Sequence, residues 1–98
     1  MITKKQIIED FKSIRYYYSM KDVFDRNSDK VRPKTTEELV KKYSEIMENA
    51  PARLYVVYVG LYVENNTQTS LAEDWGYSRD YIRNINQRLI NYVQSVMK

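Results

Sequence analysis

Cysteine and histidine are both missing from this 98-residue chain. Without thiols there is no disulfide framework and no thiolate metal site. Without imidazoles, a typical zinc site and histidine-based acid–base catalysis are excluded as well. Glycine and proline are scarce, two of each, which leaves long stretches free to stay helical. No long hydrophobic run occurs either: Leu54 to Val63 is apolar over only ten residues, well short of a membrane-crossing helix. The opening Met-Ile-Thr-Lys-Lys-Gln enters an amphipathic pattern with no signal-peptide core. A cytoplasmic protein without a membrane partner is therefore expected. Glycine-rich phosphate loops and nucleophile–base arrangements are also absent. The adjacent acids Glu37-Glu38 and Glu73-Asp74 suit first-turn dipole compensation better than acid–base chemistry. Neither an enzyme nor a cofactor is expected.

What is present is 43% apolar and 30% charged residues, the balance of a globular chain. The length suits one all-α domain over 1–98, with an N-terminal helical pair over 1–49 and a helix-turn-helix unit over 51–98. Thr3 is suited to cap a first helix, with Gln6 completing a capping box. Ile7, Phe11, Ile14 and Tyr18 mark its apolar face to about Phe24. Residues 25–34 read as a loop. Arg26, Lys30, Arg32 and Lys34 against Asp29 make it the densest positive patch, suited either to phosphate contact or to a solvated linker.

Thr35 and Glu38 form a second capping box, before a stripe of Leu39, Tyr43, Ile46 and Met47 that ends near Asn49. Pro51 fits the first turn of a third helix. Four valines and three tyrosines in 54–63 suit a strand, but Leu54, Val57, Tyr58 and Leu61 suit a helix. A lone strand would have no partner, so a buried helix is expected. Ten tyrosines provide amphipathic cover for a small core. Tyr16, Tyr17 and Tyr18 are consecutive, so at least one must be exposed.

The most informative stretch is 70–90. Ser70 with Glu73 suggests a capped helix bearing Leu71, Ala72 and Trp75 on one face, Trp75 packing beneath the turn. Gly76 permits a left-handed stop. Ser78 is suited to cap a longer helix from about Arg79 to Met97, with Ile82, Ile85, Leu89, Val93 and Val96 along one face. That stripe outruns a small helix-turn-helix unit, so its last turns should pack on the N-terminal helices or on a second subunit. This is the punctuation of a helix-turn-helix, whose second helix enters a DNA major groove.

From Gly76 to Val93 the chain resembles the end of region 4 of bacterial sigma-70-type factors, where the pattern is G-V-S-R-x-x-V-R-Q-I-E-x-R-A-L. Here Gly76, Tyr77, Ser78, Arg79, Ile82, Arg83, Asn84, Ile85, Asn86 and Arg88 stand in register. Asn86 replaces the usual acid and Leu89 the usual alanine. A similar unit ends small phage and prophage regulators of the ArpU and RinA type. The resemblance implies a phage or prophage transcriptional regulator in a bacterial cell, with double-stranded DNA as partner and RNA polymerase or a second copy of the chain as a further one.

On a helix placed in the groove, Arg79, Asp80, Arg83, Asn84 and Gln87 are the side chains able to reach bases. Arginine pairs with guanine, asparagine or glutamine with adenine. Asp80 either accepts from cytosine or holds Arg83 through a helix-surface pair. Ser78, and Thr69 and Ser70 with the free amides around them, are candidates for phosphate contact. Yet the net charge is only +3, and 66–98 holds Arg79, Arg83, Arg88 and Lys98 against Glu73, Asp74 and Asp80. So few cations imply loose binding by a monomer. Two other functions compete: a DNA-recognition component of a phage packaging enzyme, and a protein-binding adaptor or inhibitor of a host nucleic-acid enzyme on the same scaffold.

Overall fold

A computed structural model describes residues 2–23, 26 and 34–97. The basic stretch 26–34 lies almost entirely outside the described residues. Helices α1 (Lys4–Ser19), α2 (Lys34–Glu48), α3 (Ala52–Tyr58), α4 (Gln68–Trp75) and α5 (Arg79–Val96) carry the fold, and a π turn over Val59–Val63 extends α3. Among the described residues there is no strand, and no helix is long and apolar enough to cross a membrane. The expected all-α class and the helical reading of 54–63 hold.

Thr3 caps α1 by accepting from Gln6 N at 3.1 Å. The Gln6 side chain does not close the box; its amide donates to Asp10 Oδ1 at 2.9 Å. Ile7, Phe11, Ile14 and Tyr17 form the buried face. Tyr17 thus takes the place expected for Tyr18, and Tyr16 faces solvent. The helix ends at Ser19, with Met20 as its C-cap, and residues 21–23 are helical again, so the run expected to about Phe24 is interrupted at Met20. In α2 the start lies one residue before Thr35, so Thr35 is inside the first turn instead of capping it. Val40, Tyr43 and Met47 face the core, while Leu39 and Ile46 are half-buried at its margin.

Pro51 is the N-cap of α3, not a first-turn residue. The wider π turn after it places Glu64 N against Val59 O at 2.8 Å. It also frees Gly60 O, which accepts from both Asn66 N and Asn66 Nδ2 at 3.0 Å. Asn65 leaves the helix with φ 60. Gly60 is needed for a close approach: a Cβ there would stand 2.8 Å from Leu71 Cδ1 of α4. Arg15 of α1 reaches across to this bend, donating to Asn65 Oδ1 at 3.2 Å and to the Asn65 and Asn66 carbonyls at 3.3 and 3.4 Å. Three hydrogen bonds from one guanidinium fix where α4 begins.

One apolar cluster takes side chains from every helix, so the N-terminal pair and the C-terminal unit share a core. Phe11 is at its centre, stacked on Tyr62 with ring centroids 4.4 Å apart and edge-on to Tyr43 at 5.6 Å. Ile82, Ile85, Leu89 and Val93 of α5 join it as expected. Val96 does not; it is exposed, and Ile90 is buried instead. The far end of α5 packs on the N-terminal part of the chain, where Gln94 Nε2 donates to Ile2 O at 3.2 Å.

Candidate functional site

The α4–α5 corner is built from three local devices. Thr67, not Ser70, is the N-cap of α4, its Oγ1 accepting from Ser70 N at 3.0 Å. Threonine three residues upstream wins because the helix starts earlier than the Ser70–Glu73 spacing suggests. Ser70 is therefore in the first turn, half-buried, with its hydroxyl donating to Asn66 Oδ1 at 3.3 Å. Gly76, at φ 72, closes α4 with a Schellman pair: Gly76 N to Glu73 O at 3.3 Å and Tyr77 N to Ala72 O at 2.9 Å. Ser78 then caps α5, accepting from Tyr81 N at 3.1 Å. Leu71 and Ala72 anchor α4 to the core, the small Ala72 sitting where the chain doubles back.

With Ile82, Ile85 and Leu89 held inward, helical geometry turns Asp80, Arg83, Asn84, Gln87 and Arg88 to the opposite side. All five are exposed, as are Ser78 and Arg79 at the start of the helix. Among the described residues, none of the N-terminal half covers this edge, and Asp80 is its sole acid. Asp80 Oδ1 lies 3.3 Å from Arg83 Nη2, a helix-surface pair with both side chains more than half exposed. Such a pair is weak and yields readily to a competing ligand. Thr69 is exposed on α4.

Beside this edge runs a cleft of about 640 Å³ between α1 and α5, lined by Lys4, Lys12 and Arg15 on one wall and Arg83, Gln87 and Asn91 on the other. Its floor is apolar, with Phe11, Tyr62 and Ile90. Tyr62 donates to Asn86 Oδ1 at 2.6 Å. Burial pushes the Tyr62 phenol up to about 12, against the opposing pull of that hydrogen bond and of the Arg15 charge. It is a neutral donor at physiological pH. Asn86 thus holds Tyr62 and lines the cleft with a neutral amide. The α1 cations are the residues that reasoning from 66–98 missed. Lys4, Ile8, Lys12 and Arg15 recur at helical spacing along one flank of the Ile7–Phe11–Ile14 stripe, but local spacing does not say which helix lies alongside.

On the other flank of α5, Trp75, Tyr77, Tyr81, Val56 and Ile85 line a second recess of about 660 Å³ with Ala52 and Arg53. Trp75 is 38% exposed, so it does not pack beneath the turn as expected. Gly76 ends α4 immediately after it and leaves the indole on the rim. Tyr77 and Tyr81 face each other at 4.6 Å, and Arg53 lies 5.9 Å from the Tyr81 ring centroid. Sequence spacing hid this cluster, because its members come from α3, the end of α4, the turn and α5.

No protein-family model, curated protein or solved structure matches the chain.

Proposed function

We propose that this chain binds double-stranded DNA and regulates transcription, presenting the N-terminal half of α5 to a major groove. The observation that carries the reading is the outward edge of α5, where Arg79, Arg83, Asn84, Gln87 and Arg88 are exposed together just after a tight, doubly capped corner. A helix enters the groove only if it projects with its polar side free, and base-reading chemistry needs guanidinium and carboxamide groups on that side. The edge supplies both. The likeness of residues 76–93 to sigma region 4 and to the ArpU and RinA regulators supports a phage or prophage regulator. In this reading Ser78, the N-cap of α5, also meets a phosphate.

The net charge of +3 gives one copy little non-specific grip on a polyanion. A second copy or RNA polymerase therefore shares the load in this reading. The test is binding of operator-like duplexes at low and moderate salt by the wild type and by an Arg79→Ala, Arg83→Ala variant. Each bidentate arginine is worth about 1–3 kcal/mol, so the double variant should lose binding by at least tenfold. Unchanged affinity contradicts the assignment.

The aromatic recess favours a second reading, a protein-binding adaptor on the same scaffold. Trp75 and Tyr77 are partly exposed side by side, and aromatic anchors of this kind dominate protein interfaces. A partner retained by the Arg79→Ala, Arg83→Ala variant after nuclease treatment, and lost on Trp75→Ala, would decide for it.

A further inference from the structure

We propose that α1 is a second DNA-contacting helix, with Lys4 and Lys12 gripping one phosphate strand beside the groove that α5 enters. The inference rests on the DNA-binding reading of α5 and extends it to a surface some seventy residues away in sequence. Arg83 and Gln87 belong both to the outward edge of α5 and to one wall of the 640 Å³ cleft. The cleft therefore opens on the same side of the molecule as that edge. Its other wall is α1, carrying Lys4, Lys12 and Arg15, and among the described residues its lining includes no carboxylate.

The dimensions agree. Packed helices lie roughly 8–10 Å apart axis to axis, and a major groove is about 12 Å wide. With α5 along the groove, α1 falls over one of its phosphate walls. The cations on α1 have different roles. Arg15 is committed to the Asn65–Asn66 bend and contributes its charge from there. The Lys12 side chain is 70% exposed and, among the described residues, pairs only with the exposed Glu9 at 3.5 Å, a surface pair that a phosphate can displace. Lys4 is exposed in the first turn of the helix. Phosphate contacts of this type fix register and orientation without reading sequence. They also supply the positive charge that the α4–α5 unit lacks.

A Lys4→Gln, Lys12→Gln variant tests the proposal, because glutamine keeps helix propensity and both sites are on the surface; circular dichroism confirms the fold. Duplex affinity is measured against salt for this variant and the wild type, on a selected site and on unrelated sequence. Removing two phosphate contacts lowers the magnitude of the log affinity–log salt slope by about two, and shrinks the gap from wild type roughly tenfold between about 50 and 200 mM salt. The ratio of specific to unrelated affinity stays unchanged. An unaltered slope with intact specific binding overturns the α1 contact and spares the α5 reading. A wild type that binds no duplex removes both. Inorganic polyphosphate is the control: if it binds as tightly as duplex with the same dependence on Lys4 and Lys12, the cleft takes polyanions generally and the assignment to the duplex backbone fails.

Discussion

The Tyr43 hydroxyl donates a 2.6 Å hydrogen bond to Asp10 Oδ2, linking α2 to α1 inside the core. Asp10 is the buried acid among the described residues, and its other oxygen is held by Gln6 at 2.9 Å. Burial, reinforced by the Asp10 carboxylate, keeps the Tyr43 phenol far above its ordinary range, so it stays a donor. Tyr43→Phe leaves a buried carboxylate oxygen short of its partner. A loss of about 1–3 kcal/mol is expected in urea unfolding. No loss would mean that water replaces the phenol without cost.

Tyr58 offers the opposite case. Its hydroxyl is buried with no hydrogen-bond partner among the described residues. Tyr58→Phe removes that orphan group and leaves the ring contacts with Phe11 and Tyr62 in place. A gain of about 1 kcal/mol is expected from the same unfolding experiment. A clear loss would show that the hydroxyl is satisfied in solution.

Alkaline stability follows from the same phenols. Burial raises Tyr43, Tyr58 and Tyr62 above the free value of 10.0, Tyr62 to about 12 and the other two further. In each case the unfolded chain gives up its proton first, so the folded state binds more protons at high pH. The stabilisation is complete below about pH 10 and drains away as pH climbs through the folded values. Urea midpoints taken from pH 8 to 11.5 should hold level and then fall above pH 10. A flat profile would place these phenols in contact with solvent.

At the corner before α5, Gly76 occupies φ 72 with open space around the missing Cβ. Gly76→Ala therefore costs backbone strain and no clash, about 1 kcal/mol. Ser78→Ala loses the 3.1 Å cap to Tyr81 N for a further ~1 kcal/mol. Both should unfold earlier on heating, and amide exchange should quicken first at Tyr81. Equal exchange in wild type and Ser78→Ala would deny the cap a role in solution.

Helix positions were legible where periodicity and capping are local. The Ile7–Phe11–Ile14 stripe, the Gly76 stop, the Ser78 cap and the run Ile82–Ile85–Leu89–Val93 all follow from spacing. Competition between neighbours was not legible. Thr67 displaced Ser70 as a cap, and Tyr17 displaced Tyr18 in the core, because register depends on tertiary packing as well as on residue type. The π turn at Val59–Val63 has no sequence signal of its own; it is set by Leu71 closing over Gly60 and by Arg15 holding the bend. The polar edge of α5 was readable from one helix. The cleft with α1 and the aromatic recess were not, since each joins residues from separate helices.

Selection of bound sequences from a random duplex pool tests the central claim most directly. With α5 reading bases, the wild type enriches a short motif with guanine opposite the arginines, and Arg79→Ala, Arg83→Ala erases that motif while Lys4→Gln, Lys12→Gln preserves it. A pool that stays random with the wild type, or a motif that survives loss of both arginines, contradicts the account.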